Sequence, residues 1–223
     1  MNTFLKFSAA AIALIASATF ASADIIINSG VSPVNYNGYT QGTAPYNASN
    51  PYAYITSNTG VAVSNIGDGG VWTAAILGTS WISNNPGSEP GGSYTAPDGY
   101  YTYTTSFTAT PGAYTGSLDI MADDTVAVFL NNSTTPFLFA GAIGSDGKCS
   151  DAQPNCTVPE IVPLNLTLTA SDKLTFVVEQ TGSYAEGLDF SADLAPVPEP
   201  GTLLLLGTGL FGLAGAARRK FAR

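Results

Sequence analysis

Apolar and polar residues alternate over short stretches along the middle of the chain, which is the pattern of half-buried β-strands. Leu164, Leu166 and Leu168 face one way while Asn165 and Thr167 face the other. The pattern predicts eight strands: Val71–Leu77, Tyr100–Thr108, Gly116–Ala122, Thr125–Leu130, Phe137–Ala140, Leu164–Thr169, Lys173–Gln180 and Leu188–Leu194. Strands at this spacing, separated by Gly- and Pro-containing turns, predict an all-β fold: a two-sheet antiparallel β-sandwich of jelly-roll type.

Helical periodicity is missing from this central region, which is rich in Gly, Ser, Thr, Asn and Tyr. The stretch from Asn28 to Asn58 is less regular, and we expect long loops there with a short strand or two. No internal repeat is evident, which disfavours a solenoid or a propeller. About 170 residues lie between the two ends of the chain, enough for one domain with a real core.

The N-terminal residues have the pattern of a secretory signal peptide. Lys6 supplies a positive charge, an apolar run from Phe7 to Ala18 follows, and Ala21 and Ala23 give the small-x-small pattern that a signal peptidase accepts. We therefore expect residues 1–23 to form a signal helix that is removed, with the mature chain beginning at Asp24.

The C-terminal residues, 196–223, have the pattern of a short membrane anchor. Val197, Pro198, Glu199 and Pro200 form an extended segment, because proline blocks helix formation. The uncharged run Thr202–Ala217 then predicts a membrane helix, ended by the basic residues Arg218, Arg219 and Lys220. Basic residues favour the cytoplasmic side, so residues 24–195 are expected outside the inner membrane, anchored through this helix before processing.

This order of parts resembles the PEP-CTERM sorting signal. The resemblance implies an exosortase, a membrane transpeptidase, that recognises Pro198-Glu199-Pro200 and processes the tail. It also implies a host that makes exopolysaccharide and envelope or biofilm material, and a product at the cell surface or in the extracellular matrix.

The segment from Ala122 to Asn132, with Asp123-Asp124 at its start, is similar to a hairpin of galactose-binding-like jelly rolls. Further similarity lies in Lys173–Val178 and Gly187–Phe190. Members of that family often bind sugars, sometimes with a structural calcium, so the resemblance implies a carbohydrate-binding alternative. Asn131-Asn132 stands where the family usually has Asn-Gly, which leaves the turn type open.

Charge excludes some partners. From Asp24 to Ala195 the chain has two lysines and fifteen acids, a net charge of −13. Nucleic acid and anionic lipid are therefore excluded as expected partners of this domain, because phosphate would be repelled.

The chain contains no histidine, which removes the commonest general base and most zinc sites. We expect no enzyme. A carboxylate pair could still hydrolyse a glycosidic bond, and the candidates are Asp119, Asp123, Asp124 and Glu179. We expect no cofactor, with a structural calcium as the alternative, because calcium needs only hard oxygen ligands and Asp123 and Asp124 are its first candidate ligands.

Cys149 and Cys156 are the only cysteines. In an exported chain this pair predicts a disulfide that closes a short loop, contributing about 2 to 3 kcal/mol.

Aromatic residues near sheet edges could stack on sugar rings. Tyr101, Tyr103 and Trp81 are the glycan-binding candidates, although Trp72 and Trp81 also suit a sandwich core. An ice-binding face at Thr102, Thr104 and Thr108 is a further alternative. The favoured function is a structural, adhesive or exopolysaccharide-associated matrix protein, followed by a carbohydrate-binding module and then a glycan-cleaving enzyme.

Overall fold

The computed structural model of the chain describes residues 23–41, 61–139, 155–182, 184–198, 207–209 and 212. Residues Asp24–Ala195 form one compact unit. Its described part contains twelve strands: β1 Ile25–Asn28, β2 Val34–Gln41, β3 Val61–Ala62, β4 Ser64–Asn65, β5 Ile82–Ser83, β6 Gly99–Phe107, β7 Gly112–Asp123, β8 Thr125–Leu130, β9 Leu138–Phe139, β10 Glu160–Leu168, β11 Asp172–Gln180 and β12 Gly187–Pro196.

The strands form two antiparallel sheets. Sheet A has the order β10-β7-β12-β5-β4, and β1 also pairs with β12, while sheet B has the order β3-β2-β6-β11-β8-β9. The strand pairs of the described residues are antiparallel, including the long pairs of β7 with β10 and of β6 with β11. The predicted all-β, two-sheet sandwich is therefore confirmed.

The main core lies between the sheets, where alternate residues of each long strand meet. Leu188, Phe190 and Leu194 project from β12 toward sheet B and are fully buried. Phe190 stacks on Phe176 of β11, with ring centroids 4.3 Å apart and an interplanar angle of 29°. This pair joins the two sheets at the centre of the core cluster.

A second apolar layer covers the outer face of sheet A. Trp72 and Trp81 stack there with ring centroids 4.3 Å apart, and they pack with Met121, Cys156 and Ala185. The carboxylate of Asp189 holds the same covering segment, since it accepts hydrogen bonds from Ser29 Oγ at 2.7 Å and from the Ile76 amide at 2.8 Å.

The predicted strand Val71–Leu77 is wrong, because this segment is a loop. Its backbone bonds to other loops and side chains: the Thr73 amide donates to the Cys156 carbonyl, and the Ile76 amide donates to Asp189. The apolar residues that suggested a strand instead cover sheet A. The stretch Asn28–Asn58, predicted as long loops with a short strand or two, contains β2, and its residues 42–58 lie outside the described residues.

The sandwich has two ends, which we call the tethered pole and the distal pole. At the tethered pole Ile25, which begins β1, pairs with Leu194 near the end of β12, so the unit begins and ends side by side. At the distal pole lie Gly187, the first residue of β12, and the corner between β7 and β8. With a rise of about 3.3 Å per residue, the ten residues of β12 separate the poles by about 30 Å.

Some sequence predictions fall on other parts of the chain. Ala21, Glu199, Pro200, Arg218, Arg219 and Lys220 lie outside the described residues, and so does most of Thr202–Ala217. Residues 207–209 and 212 are helical. Within the described part of the chain, no helix is both long and apolar enough to span a membrane. The signal helix and the membrane helix stay predictions.

Candidate functional site

The acidic corner, which we define as Asp123, Asp124 and Glu179, lies at the distal pole. Asp123 ends β7 of sheet A and Thr125 begins β8 of sheet B, so Asp124 is the residue at which the chain crosses between the sheets. Glu179 lies on β11, directly opposite Thr125. All three carboxylates are buried.

Hydrogen bonds from distant parts of the chain hold the corner. Trp72 Nε1 donates to Asp123 Oδ2 at 2.6 Å. Thr181 donates its amide and its hydroxyl to Asp124 Oδ2 at 2.7 and 2.8 Å. The Asp124 amide donates to the Glu179 carbonyl at 2.7 Å, which ties the corner to β11. The peptide bond between Asp123 and Asp124 is cis.

Burial governs the protonation of the corner. Desolvation and the neighbouring Asp124 carboxylate raise the pKa of Asp123 to about 8, against the opposing hydrogen bond from Trp72. Desolvation also raises the pKa of Glu179 to about 7, opposed by a hydrogen bond from Tyr100. At neutral pH the Asp123 side chain therefore holds a proton, because a buried charge without a cation is unfavourable.

The outer face of sheet B continues from the corner. It carries Tyr100 of β6, Phe129 of β8 and Val177 of β11, which with Ala127 form an apolar cluster of sheet B residues. Buried side-chain oxygens on this face have no hydrogen-bond partner in the structure: Thr125 Oγ1, Thr175 Oγ1 and Glu179 Oε2. A buried oxygen without a partner costs about 1 to 3 kcal/mol, so such atoms mark places where a further donor or acceptor would bind.

A separate buried carboxylate, Glu186, lies just before β12. Tyr103 donates its hydroxyl to both carboxylate oxygens at 2.7 and 2.8 Å, and Ser83 Oγ donates to Oε2 at 2.8 Å. Desolvation raises the pKa of Glu186 to about 7, although the hydrogen bonds from Tyr103 and Ser83 oppose this. The Glu186 carboxylate in turn contributes to raising the pKa of Tyr36 to about 12, after desolvation.

The three proposed glycan-stacking residues are core residues. Trp81, Tyr101 and Tyr103 are only 1%, 1% and 0% exposed, so none presents a ring face to a ligand. Alternation along β6 places Tyr101 and Tyr103 on one face, as expected, but that face is the core. The glycan-stacking prediction for these residues is therefore wrong.

The proposed ice-binding face fails for the same reason. Thr102 and Thr104 are 0% and 7% exposed, whereas Thr108 is exposed in the turn after β6. These threonines do not form one flat exposed surface.

The candidate acids for glycoside hydrolysis are brought together only in part. Asp123 and Asp124 hydrogen-bond to each other, which places them closer than the roughly 5 to 9 Å that such a carboxylate pair needs. Asp119 lies four residues before Asp123 on β7, opposite Ile161 of β10. Among the described residues, no group of three or more His, Cys, Asp or Glu side chains is placed to hold a metal ion.

Cys156 is buried against the two tryptophans. Cys149 lies outside the described residues, so the Cys149–Cys156 disulfide stays a prediction. At the processing sites, Ala23 and Asp24 are exposed just before β1, and Val197 and Pro198 are exposed just after β12.

Sequence reasoning missed the partners of the acidic corner. Trp72 and Thr181 come from two segments far from Asp123-Asp124 along the chain, and no spacing in the sequence links them. Glu186 was missed as well, because a lone acid before a strand has no pattern of its own.

Residues 196–220 match the PEP-CTERM protein-sorting motif. The resemblance of the tail to that sorting signal is therefore confirmed, and such a motif marks a protein sorted by an exosortase to the cell surface or beyond.

No curated protein matches this chain. Among solved structures, the chain is similar to the CBM35 from Paenibacillus barcinonensis, at 7% identity and a TM-score of 0.33, covering 78% of this chain and 99% of that one. It is also similar to the Podospora anserina GH26-CBM35 β-(1,4)-mannanase, at 17% identity and a TM-score of 0.33, covering 79% of this chain and 28% of that one. A third similarity is to the β-glucosidase from Kluyveromyces marxianus in complex with glucose, at 14% identity, a TM-score of 0.27 and 46% coverage of this chain. The match spans 11% of the length of that β-glucosidase.

Proposed function

We propose that this chain is a surface or extracellular-matrix protein that an exosortase processes, and that its sandwich is structural, adhesive or associated with exopolysaccharide. One observation carries the proposal. The sorting motif begins at residue 196, where β12 ends, and the compact unit is Asp24–Ala195. Cleavage at the predicted signal site and within the tail would therefore leave every strand of the sandwich in place.

Substitutions in the sorting motif test this proposal in the native host. We expect Pro198→Ala and Glu199→Ala chains to accumulate at full length in the membrane fraction, whereas the native chain leaves that fraction in shortened form. The matched control is Pro163→Ala, an exposed proline of the sandwich. Immunoblotting of cell fractions measures the length of each chain. Equal shortening of the native and Pro198→Ala chains would contradict sorting through this motif.

A second candidate function is carbohydrate binding at the outer face of sheet B, where Thr125 Oγ1, Thr175 Oγ1 and Glu179 Oε2 have no hydrogen-bond partner among the described residues. Hydroxyl groups of a glycan can donate to and accept from such atoms. Because Thr175 is only 1% exposed, binding there requires this face to open to the ligand. Thr175→Val keeps the shape of the side chain and removes its hydroxyl, so we expect glycan-array binding to fall at least about tenfold, the effect of roughly 1.4 kcal/mol. Stability should hold or rise, because Thr175 Oγ1 has no partner in the sandwich.

Thr115→Val, at an exposed position of β7, is the matched control for the glycan measurement. Loss of binding in Thr175→Val alone would support a carbohydrate-binding module. Absence of saturable binding by the native domain would leave the structural role as the better proposal.

Calcium at Asp123 and Asp124 is part of the same second candidate. The two carboxylates supply hard oxygen ligands, which fit calcium by donor type. The remaining ligands would come from main-chain oxygens or water, because no three acids of the described residues are placed around one metal position. A cation there would displace the proton that Asp123 holds at neutral pH.

Thermal unfolding with and without a chelator tests calcium binding. Calcium at about 100 times its Kd should stabilise the native chain by about 2.7 kcal/mol. The gain should vanish in Asp124→Asn and persist in the exposed control Asp193→Asn. An unchanged Tm of the native chain on adding calcium or EDTA would rule the site out.

A further inference from the structure

We infer that the tethered pole is a docking surface for the membrane enzyme that processes the tail; this inference rests on the proposed function. The first argument is distance. Pro198, the first proline of the Pro-Glu-Pro motif, follows Pro196, the last residue of β12, by two positions. Two extended residues span at most about 7 Å. An enzyme that holds Pro198 in its cleft must therefore lie against the end of the sandwich.

The turns at this end form the contact surface. Thr108–Pro111 joins β6 to β7, Asn131–Phe137 follows β8, and Thr169–Ser171 joins β10 to β11. Their placement follows from the strand registers: Leu168 pairs with Gly112, and Leu130 pairs with Leu174. Gly116 of β7 packs against the carbonyl oxygen of Asp193, so the turn that precedes Gly112 lies beside the end of β12.

These three turns contain no charged residue, although the domain carries a net charge of −13. The acid next to them, Asp172, is buried and bonded within the pole: it accepts hydrogen bonds from Asn131 Nδ2 at 2.7 Å and from the Thr169 amide at 2.8 Å. Among the described residues, the other charged side chains near this end are the exposed Asp24 and Asp193 and the half-buried Lys173.

The distal pole has the opposite character. Asp98, the acidic corner, Glu160 and Glu186 all lie toward it, as the strand ends at Gly99, Asp123, Glu160 and Gly187 show. Most of these acids are buried, whereas Asp98 and Glu160 are partly exposed. Anionic lipid around a membrane enzyme would repel exposed acids, and the turns of the tethered pole carry none. These turns can therefore approach the membrane while the acids of the distal pole stay about 30 Å away.

Charged substitutions at the two poles test the inference in the native host. Thr110→Glu with Ala170→Glu places two acids on exposed turns of the tethered pole. Thr95→Glu with Val158→Glu places two acids on exposed positions toward the distal pole. By pulse-chase and intact mass, we expect the first pair to slow tail processing at least about tenfold, and the second pair to leave it unchanged.

A spacer separates contact from misfolding. About twelve Gly and Ser residues inserted after Val197 add roughly 40 Å of reach, so the Thr110→Glu/Ala170→Glu chain should regain native processing. A photo-crosslinker at Thr110 should attach to the enzyme. Three results would each overturn the inference: processing of that double variant at the native rate, slowing that the spacer does not rescue, or crosslinks to lipid alone. If the native chain itself is not processed, the proposed function fails instead.

Discussion

The sandwich is expected to lose stability as the pH rises from about 5 to about 8, through its buried carboxylates. In the folded state the pKa of Glu186 is raised from 4.5 to about 7, so the folded chain keeps a proton that the unfolded chain has lost. Raising the pH through this window therefore favours unfolding. The raised pKa corresponds to about 3 kcal/mol, fully present below pH 4.5 and lost as the pH passes about 7.

Glu186→Gln tests this directly, because the amide is neutral and has nearly the same shape. Urea unfolding of the native chain should give a lower midpoint at pH 8 than at pH 5. In Glu186→Gln, the difference in the free energy of unfolding between pH 5 and pH 8 should be smaller by about 3 kcal/mol. Asp123 and Glu179 act in the same direction, since their pKa values are raised to about 8 and about 7.

Asp193→Asn, an exposed carboxylate of β12, is the matched control and should keep the native pH dependence. A native domain whose urea midpoint is the same at pH 5 and pH 8 would contradict the burial of a titrating Glu186.

The second large effect concerns Trp81→Ala, which should destabilise the sandwich by about 3 to 5 kcal/mol. Trp81 is 1% exposed and stacks on Trp72, so its removal leaves a cavity in the layer over sheet A. The lost hydrogen bond from Trp81 Nε1 to the Thr73 carbonyl, 3.1 Å long, adds to this. The measurement is the urea midpoint of the purified domain.

Tyr184→Ala is the control for Trp81, because Tyr184 is an aromatic residue with 56% exposure. Its substitution should change stability by less than about 0.5 kcal/mol. A Trp81→Ala chain as stable as the native one, but with altered glycan binding, would return Trp81 to the list of ligand contacts.

Strands bounded by turn residues were predictable. Thr125–Leu130 was predicted with the observed bounds because Asp123-Asp124 precedes it and Asn131-Asn132 follows it, although both of its faces are buried. The run Val71–Leu77 misled the prediction because its apolar residues cover a sheet from a loop, and composition alone does not distinguish the two situations.

The burial of Tyr101 and Tyr103 shows a second limit of pattern reasoning. Alternation along β6 predicts that these side chains share a face, but it does not say which face is the core. That choice depends on Phe176 and Phe190, more than 70 positions away along the chain. Similarly, Asp123-Asp124 was recognisable as an acidic corner, whereas its contacts with Trp72 and Thr181 form only when distant segments meet.

The two ends of the sandwich differ. The first and last strands meet at the tethered pole, and the acidic corner and Glu186 lie at the distal pole. This separation allows the tail to be processed at one end without disturbing the acidic corner at the other.

The most direct test of the central claim is the intact mass of the protein recovered from its native host. The account predicts a chain that begins at Asp24 and ends within or just after the Pro-Glu-Pro motif, with the whole Asp24–Ala195 unit retained. A full-length chain of 223 residues in every cell fraction would contradict it.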